Sequence, residues 1–207
     1  MKGLFITLEG GEGSGKSTAI NAIDEYFKKR GYKTLVSREP GGIKISEEIR
    51  NIILDKSNTE MTKECETLLY AAARIQLLKE KLIPALENGV VVILDRYIDS
   101  SFVYQGLARG VGLKNVEKAN SFAMDYLPNI TFFLDVRPEV GLARLKGRDK
   151  VDRLDLESMD FHQKVYNGYL ELCTLYKDRI VRINGEVSPS EVVSEVTSSL
   201  DKLLKER

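Results

Sequence analysis

One short segment constrains the fold of this 207-residue chain more than any other. Gly10-Gly11-Glu12-Gly13-Ser14-Gly15-Lys16-Ser17 matches the pattern G-x-x-x-x-G-K-[ST]. It follows the β-rich run Leu4–Glu9 and leads into a helical stripe of Ala19, Ile23, Tyr26 and Phe27. Glycines in such a loop let successive backbone N–H groups turn inward on phosphate oxygens. The helix that starts there aims the positive end of its dipole at the same anion. Gly10, Gly11, Glu12, Gly13, Ser14, Gly15, Lys16, Ser17 and Thr18 therefore read as a P-loop for a triphosphate. Lys16 supplies a point charge to the outer phosphates, and Ser17 offers a hydroxyl to Mg²⁺.

A strand–loop–helix unit needs neighbours of the same kind, and the rest of the chain supplies them. Short β-branched runs recur at Thr34–Ser37, Val90–Asp95, Ile130–Asp135 and Arg179–Ile183, separated by helical patterns. One stripe comprises Leu68, Ala72, Ile75, Leu78, Leu82 and Leu86, with Pro84 predicting a kink near its end. Ser188, Pro189 and Glu191 form a capping box that opens a last helix, whose apolar face is Val192, Val193, Val196, Leu200 and Leu203. The expected fold is α/β, a five-stranded parallel sheet with helices on both faces. The length suits a single domain spanning residues 1–207. In such sheets ligands bind beyond the carboxyl ends of the strands. The polar residues that end the runs are Glu9, Arg38, Glu39, Asp95, Arg96 and Asp135.

Composition excludes several classes. Lys plus Arg and Asp plus Glu number 31 each, so there is no electrostatic footprint for nucleic-acid or membrane binding. Phosphate affinity must come from a local cluster. Cys65 and Cys173 lack metal-ligand spacing and read as buried thiols in a reducing compartment. His162 is the only histidine, which leaves Ser–His or Cys–His chemistry little to work with. No apolar run approaches the roughly 20 residues of a membrane span, so the expected location is the cytoplasm.

Asp95 ends the most hydrophobic run and suits a Walker-B carboxylate beside Ser17 and Mg²⁺. Switch-GTPase chemistry is disfavoured, because neither D-x-x-G nor N-K-x-D is found. Arg38, Arg74, Arg96, Arg148 and Arg153 are candidates for bidentate grip on phosphate. Residues 147–155 are polar and basic and read as a short lid that would close over the phosphates and exclude water. Because the P-loop carries no arginine, Arg148 and Arg153 are expected to bring that charge.

Taken together, Gly10–Thr18, Arg38-Glu39-Pro40-Gly41-Gly42, Asp95-Arg96-Tyr97-Ile98-Asp99-Ser100-Ser101 and Tyr104-Gln105-Gly106 resemble the thymidylate kinase (dTMP kinase) family, over about Leu4 to Ile183. The resemblance implies a P-loop kinase fold and phosphoryl transfer from ATP–Mg²⁺ to dTMP. It implies that Lys16, Asp95, Arg148 and Arg153 serve catalysis, with Ser17 and Asp95 at the metal. Glu12 would lie near the deoxyribose 3′-OH and the acceptor phosphate, and Arg38 and Arg96 would hold that phosphate. Tyr70 would stack on thymine, Arg74 would read its O4 edge, and Ser101 and Gln105 would line the base pocket. Tyr97 would fill the space of a ribose 2′-OH. A basic lid with a plain P-loop is the bacterial-type arrangement, and the family is usually a homodimer.

Two positions depart from the family pattern. Tyr70 stands where Phe is more usual, and Ile43-Lys44-Ile45-Ser46 follows Gly42 where small residues are expected. The rival readings are a kinase of another monophosphate or small metabolite, and a nucleotide-gated binding protein without an acceptor. An acceptor phosphate is largely ionised at neutral pH, its second pKa being about 6, so no strong general base is needed.

Overall fold

The computed structural model describes residues 3–145, 153–154 and 156–205. The β-branched runs form strands β1 (Phe5–Glu9), β2 (Thr34–Arg38), β3 (Val91–Asp95), β4 (Ile130–Asp135) and β5 (Ile180–Asn184). They pair in the order β2-β3-β1-β4-β5, all parallel. The expected five-stranded parallel sheet is the sheet observed. The strand ends move by one residue: Arg38 and Asn184 join the ladder, while Leu4, Val90 and Arg179 fall outside it.

Side chains alternate between the two faces of a strand. Ile6, Leu8, Val91, Ile93, Phe132 and Leu134 meet helices α1 (Lys16–Lys28) and α9 (Pro189–Lys205). Phe5, Val92, Leu94 and Phe133 meet α3 (Lys63–Leu77), α4 (Ile83–Glu87) and α8 (Met159–Leu175) on the other face. Between β2 and α3 lies α2 (Lys44–Leu54), and α5 (Ile98–Ser101), α6 (Leu113–Ala119) and α7 (Pro138–Arg144) complete the set. This parity also aims the polar strand ends. Asp95 shares its face with Val91 and Ile93, toward α1 and Ser17. Glu9 shares its face with Phe5, toward α8, where Tyr169 donates to its Oε2 at 2.8 Å.

Local signals account for two helix details. Ser188 N–H donates to Glu191 Oε2 at 2.9 Å, and Glu191 N–H donates to Ser188 Oγ at 3.3 Å, completing the box that opens α9. The predicted kink at Pro84 takes the form of a π-helical turn over Leu78–Leu82 that hands over to α4. Widening the turn relieves the missing N–H and the ring clash that proline brings to a helix.

Two expectations fail. Leu68 is 59% exposed and Ala72 is also exposed, so only the lower part of the α3 stripe is core. The inward face of α3 carries Glu66, Thr67 and Arg74, because Glu66 meets Gln105 there and Arg74 meets Glu39 and Asn120, rather than the apolar core. Cys65 is exposed on the first turn of α3 and Cys173 is only half-buried, so neither is a buried thiol. A capping Thr62 holds that first turn at the surface through its bond from Cys65 N–H. The departure after Gly42 is not an irregular loop: α2 begins at Lys44, and the buried Ser46 Oγ donates to the Ala73 carbonyl at 2.8 Å. Among the described residues no helix is long and apolar enough to cross a membrane.

Candidate active site

A cavity of about 930 Å³ opens beyond the carboxyl ends of β1, β2 and β3, within the range of ligand pockets. The P-loop makes one wall. Gly10, Gly13 and Gly15 have φ of 144, 68 and 93°, so the loop turns through conformations that favour glycine. At Gly13 a Cβ would also lie 2.1 Å from the carbonyl oxygen of Gly141 on α7, so the two backbones touch. Gly141 was not singled out from sequence, where a glycine inside a helical segment is only a weak signal.

Lys16 opens α1 and is folded against the loop, its Nζ donating to the carbonyls of Gly10 (3.2 Å) and Gly11 (3.0 Å). Burial and the nearby Arg96 charge lower its pKa, against the pull of Glu12, Asp95 and Glu9. Ser17, Thr18 and Asp95 line the same cavity. Asp95 Oδ1 is buried without a hydrogen-bond partner among the described residues, the kind of orphaned oxygen a cation would satisfy. Among the described residues no group of three or more His, Cys, Asp or Glu gathers around an ion position.

Arg96 joins the two halves of the site. It is the one non-glycine among the described residues with left-handed backbone, φ 65°, a conformation that costs about 1 kcal/mol or more. Its guanidinium donates to Glu12 Oε1 at 2.5 Å, Tyr169 Oη at 3.2 Å and Ser100 Oγ at 3.3 Å. Burial opposes ionisation of Glu12, but the Arg96 and Lys16 charges outweigh it and hold the carboxyl at about 2. A P-loop acid is thus fixed against a strand-end arginine.

Arg38, Tyr70, Arg74, Tyr97, Ser101 and Gln105 all line the far side of the cavity. Arg38 is the most exposed of these and pairs with Glu47 at 2.8 Å. Arg74 is 1% exposed, and three of its N–H donors are already engaged: Nε to Glu39 Oε2 (2.8 Å), Nη1 to Asn120 Oδ1 (2.5 Å) and Nη2 to the Tyr97 carbonyl (3.1 Å). Tyr97 is fully buried, edge-on to Phe5 at 5.0 Å. The buried Tyr97 and Ser101 hydroxyls have no hydrogen-bond partner among the described residues. Burial pushes the Tyr70 and Tyr97 phenols well above their usual value. Burial also raises Glu39 to about 7, although Arg74 pulls the other way.

Arg148 and most of the lid segment lie outside the described residues. Arg153 is described, and it reaches away from the P-loop. Its Nε donates to the Ile53 carbonyl at 2.9 Å and its Nη2 pairs with Glu66. Asp135, although it ends β4, pairs with Arg182 at 2.6 Å and does not line the cavity.

Three charged residues at the site escaped the sequence reading. Arg144 donates to the Gly13 carbonyl at 3.4 Å and the Gly185 carbonyl at 3.0 Å, bracing the P-loop from α7. Arg50 donates to the Pro40 carbonyl at 2.9 Å and lines the cavity. Glu66 is 1% exposed beneath Gln105. A charged residue on a helix reads as solvated surface unless something marks its face, and nothing in the local sequence does so.

A glycine cradle at a helix N-terminus, a buried lysine, a strand-end carboxylate and an arginine-lined wall across the same cavity define a P-loop phosphotransferase for a small molecule. The comparisons with known proteins agree and are more specific. The family model for thymidylate kinase matches residues 8–196. A thymidylate kinase of Bacillus cytotoxicus is 51% identical over 99% of this chain and 100% of its own length. One of Clostridium novyi is 50% identical over 96% of this chain and 98% of its own. The crystal structure of thymidylate kinase from Ehrlichia chaffeensis superposes with a TM-score of 0.80 at 27% identity, covering 96% of this chain and 98% of that one. The chain belongs to the thymidylate kinase family.

Proposed function

We infer that this chain transfers the terminal phosphoryl group of ATP, with Mg²⁺, to dTMP and yields dTDP. Family membership carries the assignment, and one geometric observation supports it: the P-loop and the Arg38, Arg96, Tyr70 and Gln105 wall open on one cavity. An oxygen of the dTMP phosphate bonds to the γ-phosphorus while the bond from that phosphorus to the β–γ bridging oxygen breaks, and ADP leaves. The acceptor oxygen is already ionised, so positioning and charge carry the catalysis.

In this reading Gly10–Thr18 hold the triphosphate and Lys16 follows charge onto the outer phosphates. Bound Mg²⁺ would neutralise the β- and γ-oxygens, with Ser17 and Asp95 as its protein side. Arg38 and Arg96 take the acceptor phosphate, and Glu12 keeps Arg96 in register beside the 3′-OH. Tyr70 stacks on the base, Arg74 offers its remaining donors to O4, and Ser101 and Gln105 complete the pocket. The buried Tyr97 leaves no room for a 2′-OH. Arg148 acts from the lid, whereas Arg153, bonded to Glu66 and the Ile53 carbonyl, works from the acceptor side. The whole chain, residues 1–207, works as one nucleoside monophosphate kinase domain.

Two broader proposals go with it. The chain works as a homodimer: Leu68 on α3, Ile45 and Ile52 on α2, and Phe122 (75% exposed) are solvent-facing apolar side chains on elements that pack together, a pattern associated with interfaces. It resides in the cytoplasm, in keeping with two free cysteines, one of them exposed. An acceptor panel tests the activity: dTMP should stimulate ADP release far above UMP, dCMP or AMP. Equal rates on UMP and dTMP would remove the role given to Tyr97, and no stimulation by dTMP would remove the assignment itself.

A further inference from the structure

Glu66 is a buried carboxylate that the phosphoryl transfer does not call on. It lies on α3, 1% exposed, and is reached by donors from three other places in the chain. Gln105 Nε2 donates to its Oε1 at 2.9 Å. Arg109 Nε reaches the same oxygen at 3.4 Å and Arg109 Nη2 reaches Oε2 at 3.5 Å, while Arg153 Nη2 pairs with Oε2. Burial opposes its ionisation, but the bonds from Gln105 and Arg153 and the charges of Arg109 and Arg153 prevail and hold its carboxyl below the usual range.

An ionised carboxylate accepts hydrogen bonds and donates none, whereas a glutamine amide can turn either its NH₂ or its C=O toward a partner. With Glu66 beneath it, Gln105 has only one favourable orientation. Nε2 must face the carboxylate, because the amide oxygen there would meet a second oxygen lone pair in a buried site, where an unpaired polar group is costly. The amide is planar, so Oε1 is then turned away from Glu66. Gln105 is 1% exposed and lines the cavity beside Tyr70, Arg74 and Ser101.

We propose that Glu66 is a positioning residue that sets base specificity: by locking the Gln105 amide, it presents an acceptor, and never a donor, to the pyrimidine edge. The proposal rests on the reading that Gln105 lines the base pocket. Thymine and uracil carry N–H at N3 and satisfy that acceptor. Cytosine carries a lone pair at N3 and meets it with repulsion. A site built for one hydrogen-bond pattern rejects the complementary one strongly, because its own group is left unpaired. Glu66 touches no reacting atom in this account and acts through Gln105.

The test uses the full chain with ATP–Mg²⁺ and compares kcat/KM for dTMP, dUMP and dCMP. In Glu66→Gln the neutral amide can donate as well as accept, so Gln105 can flip. The dCMP-to-dTMP ratio should rise about tenfold or more, while the dUMP-to-dTMP ratio, which keeps N3–H in both bases, stays within about twofold of wild type. A merely structural loosening would move both ratios together, and that result overturns the proposal. Gln105→Ala separates the two levels. If it leaves the dCMP-to-dTMP ratio unchanged, the base-pocket reading falls and the proposal with it. If it shifts that ratio while Glu66→Gln does not, only the role of Glu66 falls. Should Glu66→Gln not fold, Glu66→Asp keeps the charge but withdraws the acceptor by one methylene. It should raise the dCMP-to-dTMP ratio by a smaller factor, and no rise would overturn the proposal.

Discussion

The two ends of the cavity are built in opposite ways. The proposed donor end is one contiguous loop shaped by glycine conformations, with Lys16 tucked against the Gly10 and Gly11 carbonyls. The proposed acceptor end draws Arg38, Tyr70, Arg74, Arg96 and Gln105 from four separate stretches of chain, and Arg38, Arg74, Arg96 and Gln105 are each held by side-chain partners. In the proposed function the donor end recognises what every triphosphate shares. The acceptor end must recognise one small molecule, and that takes oriented side chains whose own partners are buried. A substitution at the donor end should therefore cost rate with little stability, and one at the acceptor end should cost stability or selectivity as well.

The largest expected effect breaks the donor end alone. Lys16→Ala should lower kcat by about a thousandfold, on the scale of losing a preorganised transition-state contact, while the unfolding midpoint in urea changes little because burial already disfavours the Lys16 charge. Steady-state kinetics and equilibrium unfolding on the same preparation check this; a comparable loss of stability would erase the contrast.

Next comes Arg74→Ala at the acceptor end. It removes one partner of a pair that is 1% and 3% exposed and strands Asn120 and the Tyr97 carbonyl. Breaking such a buried pair costs about 3 kcal/mol, so denaturant unfolding should register it even without substrate. Arg153 sharpens the comparison at a smaller scale. Sequence alone assigns it to the lid and the transferred phosphate, yet it is bonded to Glu66 and the Ile53 carbonyl. Arg153→Ala should raise KM for dTMP several-fold more than it lowers kcat, because its partners are acceptor-side groups. A loss in kcat alone would return Arg153 to the donor side.

The last effect concerns pH and is spread over several units. Glu39 is raised from its ordinary 4.5 to about 7 by burial. The folded chain therefore keeps a proton that the unfolded chain releases from about 4.5 upward. The stability linked to Glu39 is full below that lower value and is lost as pH rises toward 7, by at most about 1.4 kcal/mol per pH unit. Glu39→Gln should flatten this part of the unfolding free-energy profile between pH 5 and 7; an unchanged slope would assign it to other groups.

What could be read from sequence was whatever has a local cause. Gly10–Ser17 announces a phosphate cradle because consecutive backbone groups make it. Ser188 and Glu191 announce a helix start because each caps the other's N–H. Pro84 announces a disturbed helix because it lacks a donor, and the β-branched runs announce a sheet because their residues suit strands buried on both faces. Tertiary structure alone decided where the parity of a strand would send Glu9 and Asp95. It also decided that the inward side of upper α3 would be polar, leaving Leu68 and Cys65 in solvent. Only the folded backbone brings Gly141 against Gly13, and only it sets Glu66 beneath Gln105. Capping hydrogen bonds and strand periodicity act between near neighbours and leave a trace in order along the chain. A buried charge or a close backbone contact depends on what arrives from tens of residues away, and the local sequence carries no mark of it.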